Sequence, residues 1–153
     1  MATSVVFALL DAVYDKLAAE LQDVHVVDGP TLSQENGDFV MVGVDDPGRD
    51  GSSAADGNQI PGPFGTNRPR DDDGEIVCAI AVLNGDTDVR TARRRVAALS
   101  AQIEVIARTD PTWGGVAGLL WTGYGSSYQF TQAQDDDGAF ALLVFRISYR
   151  ARI

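Results

Sequence analysis

The sequence has little of the side-chain chemistry that most enzymes use. Its 153 residues include one histidine, His25, and one cysteine, Cys78. A single cysteine excludes an intramolecular disulfide, and a zinc site needs several Cys or His residues at ligand spacing. His25 belongs to a short apolar segment and Cys78 to the most apolar one, so we expect a structural role for each. We therefore expect no catalytic residue, no metal site and no cofactor, and we interpret the chain as a non-enzymatic protein.

Basic residues are also scarce. The chain has 12 Lys and Arg against 22 Asp and Glu, with a formal net charge of -10. Such a surface repels nucleic acid phosphates, which argues against a DNA- or RNA-binding module. No apolar run approaches the roughly 18 residues of a membrane span. The first residues contain Asp11 and Asp15 and no basic region, so we do not expect a signal peptide.

Two segments have apolar residues at helical spacing. The first runs from Val6 to Leu21, and the second runs from Val89 to Ile106 and stops at "TDPTWGG". Each segment is preceded by residues that commonly cap a helix. The predicted N-cap residues are Thr3 or Ser4 for the first helix and Asp86 or Thr87 for the second.

Five segments are predicted to be strands: "VHVVDGP", "DFVMVGV", "DGEIVCAIAVLNGD", "GLLWTGYGSSYQFTQAQ" and "AFALLVFRISYRARI". The third is apolar on both faces, which indicates a central strand. The fourth is expected to be broken or bent at Gly123 and Gly125. The order of elements predicts a single α+β domain over residues 1–153. We expect a mixed, mostly antiparallel sheet of four or five strands with two helices packed on one face.

A long inter-strand loop is predicted at about residues 45–74, where apolar side chains are rare and Gly, Pro and Asp are frequent. Loops longer than about 12–15 residues are usually functional or disordered. We interpret this loop as an arm that partners order on assembly, and we expect the fold to survive its shortening. The two "DDDG" segments, Asp71–Gly74 and Asp135–Gly138, are expected to be polar turns, with adventitious binding of divalent ions as the alternative.

Three long segments carry a resemblance to a known family: "VVDGPTLSQENGDFVMVGVDDP", "GEIVCAIAVLNGDTDVRTARRRVAAL" and "LLWTGYGSSYQFTQAQDDDGAFALLVFRISYRARI". Together with the opening helix and the Gly/Pro loop, they resemble the tail terminator proteins of long-tailed bacteriophages that infect actinobacteria. The resemblance covers most of the chain. It consists of a pattern of secondary-structure elements and short sequence segments, and it includes no catalytic motif.

The resemblance implies a structural role in the virion, reached by assembly in the host cytoplasm. Tail terminators are small α+β proteins that form a six-membered ring on the completed tail tube, stop its polymerisation and join the tail to the head connector. The implied partners are further copies of the chain, the tail tube protein and the head completion or stopper protein. DNA would pass through the lumen without specific binding.

Two other functions stay open. The chain could be the head completion or stopper protein of the same neck, which also forms a ring. From a different class, it could be a small acidic hydrolase or ligand-binding domain. An enclosed polar pocket at Asp71–Asp73 or Asp135–Asp137 would favour this last function.

The predicted contact residues lie in the loop and in the last strand. Arg146, Arg150 and Arg152 share one face by the two-residue period of a strand. This face is either solvated or bound to acidic groups of a neighbouring subunit or the tube, because Arg holds carboxylates through two hydrogen bonds. DNA binding is the least favoured alternative, given the net charge. The full set of predicted contact residues is Asp45, Asp46, Arg49, Asp50, Phe64, Arg68, Arg70, Arg146, Arg150 and Arg152.

Overall fold

The computed structural model describes residues 3–30, 36–48, 51–63, 69–85 and 88–153. In this part of the chain it has two helices and six strands, so the predicted α+β class is confirmed. The elements are α1 (Val6–Glu20), β1 (His25–Asp28), β2 (Gly37–Val42), β3 (Ala55–Pro61), β4 (Arg70–Asn84), α2 (Val89–Thr109), β5 (Leu119–Asp135) and β6 (Gly138–Arg152).

The six strands form one open sheet in the order β1-β2-β4-β6-β5, with β3 beside the first half of β4. β1 pairs with β2 in parallel, and the other pairs are antiparallel. The sheet is thus mostly antiparallel, as predicted, with one strand more than the upper number expected. β4 is central because β6 lies on one side of it while β3 and β2 divide the other side.

Both helices pack on one face of the sheet. α1 lies on β1 and β2, and α2 lies on β4, β5 and β6. The apolar stripes predicted from the sequence are the buried faces of these helices, as shown by the fully buried Leu9 and Leu17 in α1 and Leu99 and Ile103 in α2. Burial of such a side chain contributes about 1.5–3 kcal/mol to folding, so this layer supplies most of the core.

The opposite face of β4 carries a second, smaller apolar cluster. Its buried members are Phe39, Met41, Val44, Val77, Ala79, Ala81 and Val144. Because alternate residues of β4 enter the two clusters, both faces of the strand are buried and its sequence is apolar without alternation. β4 contains the third of the predicted strands, and the prediction that this strand is central is confirmed.

The prediction of a long loop at about residues 45–74 is wrong for two parts of that segment. Residues Ala55–Pro61 form β3, and β4 begins at Arg70, before the expected start of that strand. The two segments pair along seven residues, from Ala55 opposite Ile76 to Pro61 opposite Arg70. "ADGNQIP" has low strand propensity and mostly exposed side chains, so its backbone pairing with β4 forms this strand. Asp71–Gly74 is therefore strand and the prediction of a turn there is wrong, whereas Asp135–Gly138 closes the β5–β6 hairpin as predicted.

The bend expected in the fourth strand is confirmed at Gly125. The register of β5 against β6 shifts between Tyr124 and Tyr128, and Gly125 has φ +81°. Gly tolerates this conformation because it has no Cβ. Gly123 keeps regular pairing with Ser148, so the predicted bend at Gly123 is wrong.

Candidate functional site

The predicted arginine face of the last strand lies opposite a row of acidic residues from the same chain. The β4–β6 register places Asp71 across from Arg152, Asp73 across from Arg150, and Glu75 across from Ser148. In an antiparallel pair, directly opposed residues project from the same face of the sheet. The segment that we predicted to be a loop thus supplies carboxylates to the arginines.

The arginines form ion pairs with these carboxylates, and we call the set the ion-pair row. Arg150 holds Asp73 through two hydrogen bonds, Nε to Oδ1 at 3.0 Å and Nη2 to Oδ2 at 2.8 Å. Arg152 Nε donates to Asp71 Oδ1 at 2.9 Å. Arg146 is more loosely placed, with Nη1 3.7 Å from an oxygen of Glu75. Arg150 thus holds a carboxylate of its own chain in the bidentate manner, and the contact of this face with a neighbouring subunit or the tube stays a prediction.

The ion-pair row changes the acidity of its members. The hydrogen bond from Arg150 holds the pKa of Asp73 below its usual value, and the same bond raises the pKa of Arg150. The hydrogen bond to Asp71 likewise raises the pKa of Arg152. All these side chains are partly exposed, so solvent screens the pairs and limits their contribution to stability.

Asp72 points to the opposite face and has a different role. It is 2% exposed, accepts the Ser4 hydroxyl at 2.6 Å and accepts the backbone N–H of Val5 at 2.8 Å. These bonds fix the start of α1 to β4 and satisfy a donor that the helix leaves open. The α1 N-cap position is Val5, one residue after the predicted Ser4, but the Ser4 hydroxyl does accept the N–H of Val6 at 3.1 Å, so Ser4 bonds to the start of the helix without occupying the cap position. Sequence reasoning missed Asp72, although the alternation of side chains in "DDD" would have separated it from its neighbours.

Tyr149 lies beside this bond. Burial raises the pKa of its hydroxyl, and the nearby charge of Asp72 raises it further. Its hydroxyl lies close to two facing glycines, Gly57 in β3 and Gly74 in β4. A Cβ added at Gly57 would lie 3.0 Å from this hydroxyl, and one added at Gly74 would lie 2.8 Å from it. The close approach of β3, β4 and Tyr149 thus requires glycine at both positions.

Three predicted contact residues share a groove of about 690 Å³ between the segment after β2 and the bent part of β5. These are Asp45, Asp46 and Arg146, and the groove also has Tyr128 and Val144 in its wall. The Asp45 carboxylate accepts hydrogen bonds from Ser52 and Ser53, and Asp46 accepts the N–H of Gly48. Tyr128 is 75% exposed. The groove is therefore lined by charged groups of both signs, each of which also has a partner within the chain.

The other predicted contact residues are placed differently. Arg70 begins β4, where its backbone N–H and C=O both bond to Ile153. Arg150 and Arg152 belong to the ion-pair row. Four of the predicted residues lie outside the described part of the chain, namely Arg49, Asp50, Phe64 and Arg68.

His25 and Cys78 both pack against other side chains of the fold. His25 stacks on Phe39 with ring centroids 5.2 Å apart. Cys78 is fully buried, and desolvation raises the pKa of its thiol to about 12, so the thiol stays protonated at neutral pH. In the ranges that the structure describes, no group of three or more His, Cys, Asp or Glu could hold a metal ion.

The N-cap of α2 also differs from the prediction. Asp88 occupies this position, and its carboxylate accepts the N–H of Thr91 at 2.8 Å. This bond lowers the pKa of Asp88. The two residues predicted as caps, Asp86 and Thr87, lie outside the described residues.

The fold and the contacts define a small α+β domain with an open sheet, covered by helices on one face. Within the described ranges, neither helix is both long and apolar enough to cross a lipid bilayer. No family model matches this chain, and no curated protein matches its sequence.

Proposed function

We propose that this chain is a structural protein of a bacteriophage neck, namely the tail terminator. Several copies would form a ring, expected to be hexameric, on the end of the tail tube. The ring would stop polymerisation of the tube protein and bind the head completion or stopper protein, while DNA passes through the lumen without specific binding. The protein would be located in the virion, at the neck. The family resemblance of three long sequence segments supports this proposal.

The structural observation that best supports the proposal is that the helices cover only one face of the sheet. Both helices pack on the same face. The other face presents the groove at Asp45, Asp46 and Arg146 and the exposed Trp121, which lies opposite Arg150. Exposed apolar groups bordered by polar ones are typical of protein contact surfaces. Such a face suits a subunit that binds neighbours in an assembly.

The contacts of the acidic cluster Asp71–Asp73 also support a structural role. Each carboxylate of Asp71, Asp72 and Asp73 accepts a hydrogen bond from a group of the same chain. Two of them hold arginines and the third holds the start of α1. These bonds give the cluster a structural purpose, which supports a non-enzymatic protein without a cofactor.

The experiment that tests the proposal is removal of the gene from the phage that carries it, followed by electron microscopy of the tails. We expect tubes that grow beyond their normal length, because nothing stops polymerisation, and normal length when the purified chain is supplied during assembly. Tails of normal length without the chain would overturn the proposal.

The same experiment separates the tail terminator from the stopper protein. Loss of a stopper would leave tails of normal length and heads that leak DNA. A binding measurement gives an independent answer, since a terminator binds the tail tube protein and a stopper binds the portal or its adaptor. Purified chain bound to portal and not to tube would identify the stopper.

A further inference from the structure

A second groove lies on the half of the sheet that contains β3, on the face that the helices leave open. Its volume is about 400 Å³, which is within the range of ligand pockets in proteins. Residues of β3 and β5 line its two sides, and residues of β4 and β6 lie between them. We call it the Trp121 groove, and its lining includes Asp56, Asn58, Asp73, Glu75, Trp121 and Arg150.

The strand registers determine which side chains meet in the Trp121 groove. Asp56 of β3 lies opposite Glu75 of β4, and Asp73 of β4 lies opposite Arg150 of β6. Arg150 in turn lies opposite Trp121 of β5. Directly opposed residues of an antiparallel pair project from the same face of the sheet. An indole ring and three carboxylates therefore border one space.

The ring of Trp121 is open to solvent. It is 46% exposed, whereas the other tryptophan, Trp113, is 3% exposed. Gly123 leaves room for the ring along the strand, because a Cβ added there would lie 3.5 Å from a ring carbon of Trp121. Among the residues that the structure describes, no other ring and no cation is placed on this indole. Indole is the aromatic group that attracts cations most strongly.

The Trp121 groove has more negative than positive charge. Its lining has three carboxylates and one guanidinium, that of Arg150, which is held by Asp73 through two hydrogen bonds. Glu75 accepts the Ser126 hydroxyl at 3.1 Å and has only the loose contact with Arg146. Within the described ranges, no hydrogen bond or ion pair holds the exposed carboxylate of Asp56. Like charges directly opposite each other on neighbouring strands are destabilising, so Asp56 and Glu75 repel each other.

We propose that the Trp121 groove binds an arginine side chain of a partner protein, held against the indole of Trp121 and by the carboxylates of Asp56 and Glu75. Complementary charge selects a cation, because the groove has two carboxylates more than it has guanidinium groups. Arginine suits the site better than lysine, since its planar guanidinium stacks on aromatic rings and binds carboxylates through two hydrogen bonds. The bound cation would also offset the repulsion between Asp56 and Glu75. That the arginine belongs to another protein of an assembly rests on the proposed function, whereas the site for a basic group does not.

Other ligands fit the Trp121 groove less well. Phosphate and nucleotides would be repelled by Asp56 and Glu75, and the charge of Arg150 is already compensated by Asp73. A neutral saccharide would stack on Trp121 but leave the excess negative charge uncompensated. The test therefore includes a saccharide as an alternative ligand.

The test is a nuclear magnetic resonance titration of the full chain, labelled with nitrogen-15, with the peptide acetyl-Gly-Arg-Gly-amide as the probe. The chain has two tryptophans, so the indole N–H signal that disappears in Trp121→Ala belongs to Trp121. We expect the peptide to shift this signal and the amide signals of Gly57 and Gly123 until saturation, and to bind more weakly as ionic strength rises. The same peptide with citrulline in place of arginine has nearly the same shape and no charge, and should bind about tenfold more weakly.

Two variants and a matched control assign the binding to this groove. Trp121→Ala removes the ring and should weaken binding of the arginine peptide by about threefold to thirtyfold. Asp56→Asn with Glu75→Gln keeps the shape of both side chains, removes two charges and should weaken binding by about tenfold. Asp136→Asn with Asp137→Asn removes the same charge at the β5–β6 turn, at the far end of the hairpin, and should leave binding unchanged. Far-UV circular dichroism and thermal melting confirm that each variant is folded.

The inference is overturned if the arginine peptide gives no saturable shift, or if Trp121→Ala binds it as tightly as the unmodified chain. Binding of the citrulline peptide or of maltose as tight as that of the arginine peptide would also overturn it, because charge would then not select the ligand. The tail-length experiment tests the proposed function separately. A chain that binds the arginine peptide but does not limit tail length would keep this site and refute the tail terminator alone.

Discussion

The carboxylate of Asp72 accepts the backbone N–H of Val5 at 2.8 Å and thereby joins the first turn of α1 to the central strand. The same carboxylate accepts the Ser4 hydroxyl at 2.6 Å. Because Asp72 is 2% exposed, water cannot replace it as an acceptor without rearrangement of the helix. The contact links residues 67 positions apart in the sequence.

We expect Asp72→Ala to lower the free energy of unfolding by about 1–3 kcal/mol or more, since it leaves buried donors without an acceptor. Urea denaturation followed by tryptophan fluorescence measures the change. Asp71→Ala is the matched control, because Asp71 is the neighbouring carboxylate on the exposed face and should cost much less. Equal losses for the two variants would contradict the role of Asp72.

Gly74→Ala should separate β3 from β4. A Cβ at Gly74 would lie 2.8 Å from both the Gly57 Cα and the Tyr149 hydroxyl, which is shorter than the van der Waals contacts that a Cβ makes. We expect a loss of about 1–3 kcal/mol, as for an overpacked core. Gly51→Ala is the control, because a Cβ there meets nothing within 4 Å. If Gly74→Ala has the same melting temperature as the unmodified chain, β3 does not pack against β4 as closely as the structure shows.

The double variant Arg150→Glu with Arg152→Glu should lower the melting temperature. The sequence left these arginines either solvated or bound to acidic groups of a neighbouring subunit or the tube, but the structure places them against Asp73 and Asp71. Reversal would put like charges in directly opposed positions of two strands. Adding Asp71→Arg and Asp73→Arg restores opposite charges and should recover most of the melting temperature. Failure of this fourfold variant to recover would show that the pairs do not act as a unit.

Cys78 should react with thiol reagents only when the chain unfolds. Its folded pKa is raised to about 12 from a usual 9.0 by burial. The neutral thiol is therefore favoured in the folded state, and its contribution to stability is complete below pH 9 and is lost as the pH rises towards 12. Labelling with a chromogenic disulfide at pH 8, with and without denaturant, measures the difference. Rapid labelling of the folded chain would show that the strand opens locally.

A shallower loss of stability with alkaline pH is expected for Cys78→Ala. This variant removes the titrating thiol, so the denaturation midpoint should fall less between pH 9 and pH 11 than in the unmodified chain. Alanine keeps a small apolar side chain at the site, and the comparison is therefore made between slopes and not between absolute stabilities. Equal slopes would assign the alkaline loss to other groups.

Apolar periodicity was sufficient to predict both helices, the central strand and the α+β class. α1 and α2 each bury one stripe, and the spacing of Leu9, Val13 and Leu17 shows such a stripe directly in the sequence. β4 reads as apolar on both faces because it enters two clusters. In these elements the pattern of burial is local, so the sequence carries it residue by residue.

The start of β4 and the whole of β3 could not be read from local pattern. "ADGNQIP" is polar and exposed, and it is a strand only because β4 lies beside it. One signal was available for β4, since Asp71, Asp73 and Glu75 have the same two-residue spacing as the arginines of β6. That match makes an internal pairing of the arginine face possible, but only the register of β4 against β6 shows that the two rows meet.

Which side chains share a face follows from the period of a helix or a strand, so it can be predicted from the sequence. What each face contacts depends on how the elements pack together. The arginines of β6 bind acids of β4, and Asp72 holds the start of α1. The partners in both contacts lie more than 60 residues apart, so their meeting depends on the register of the sheet and on helix packing, which no local spacing encodes.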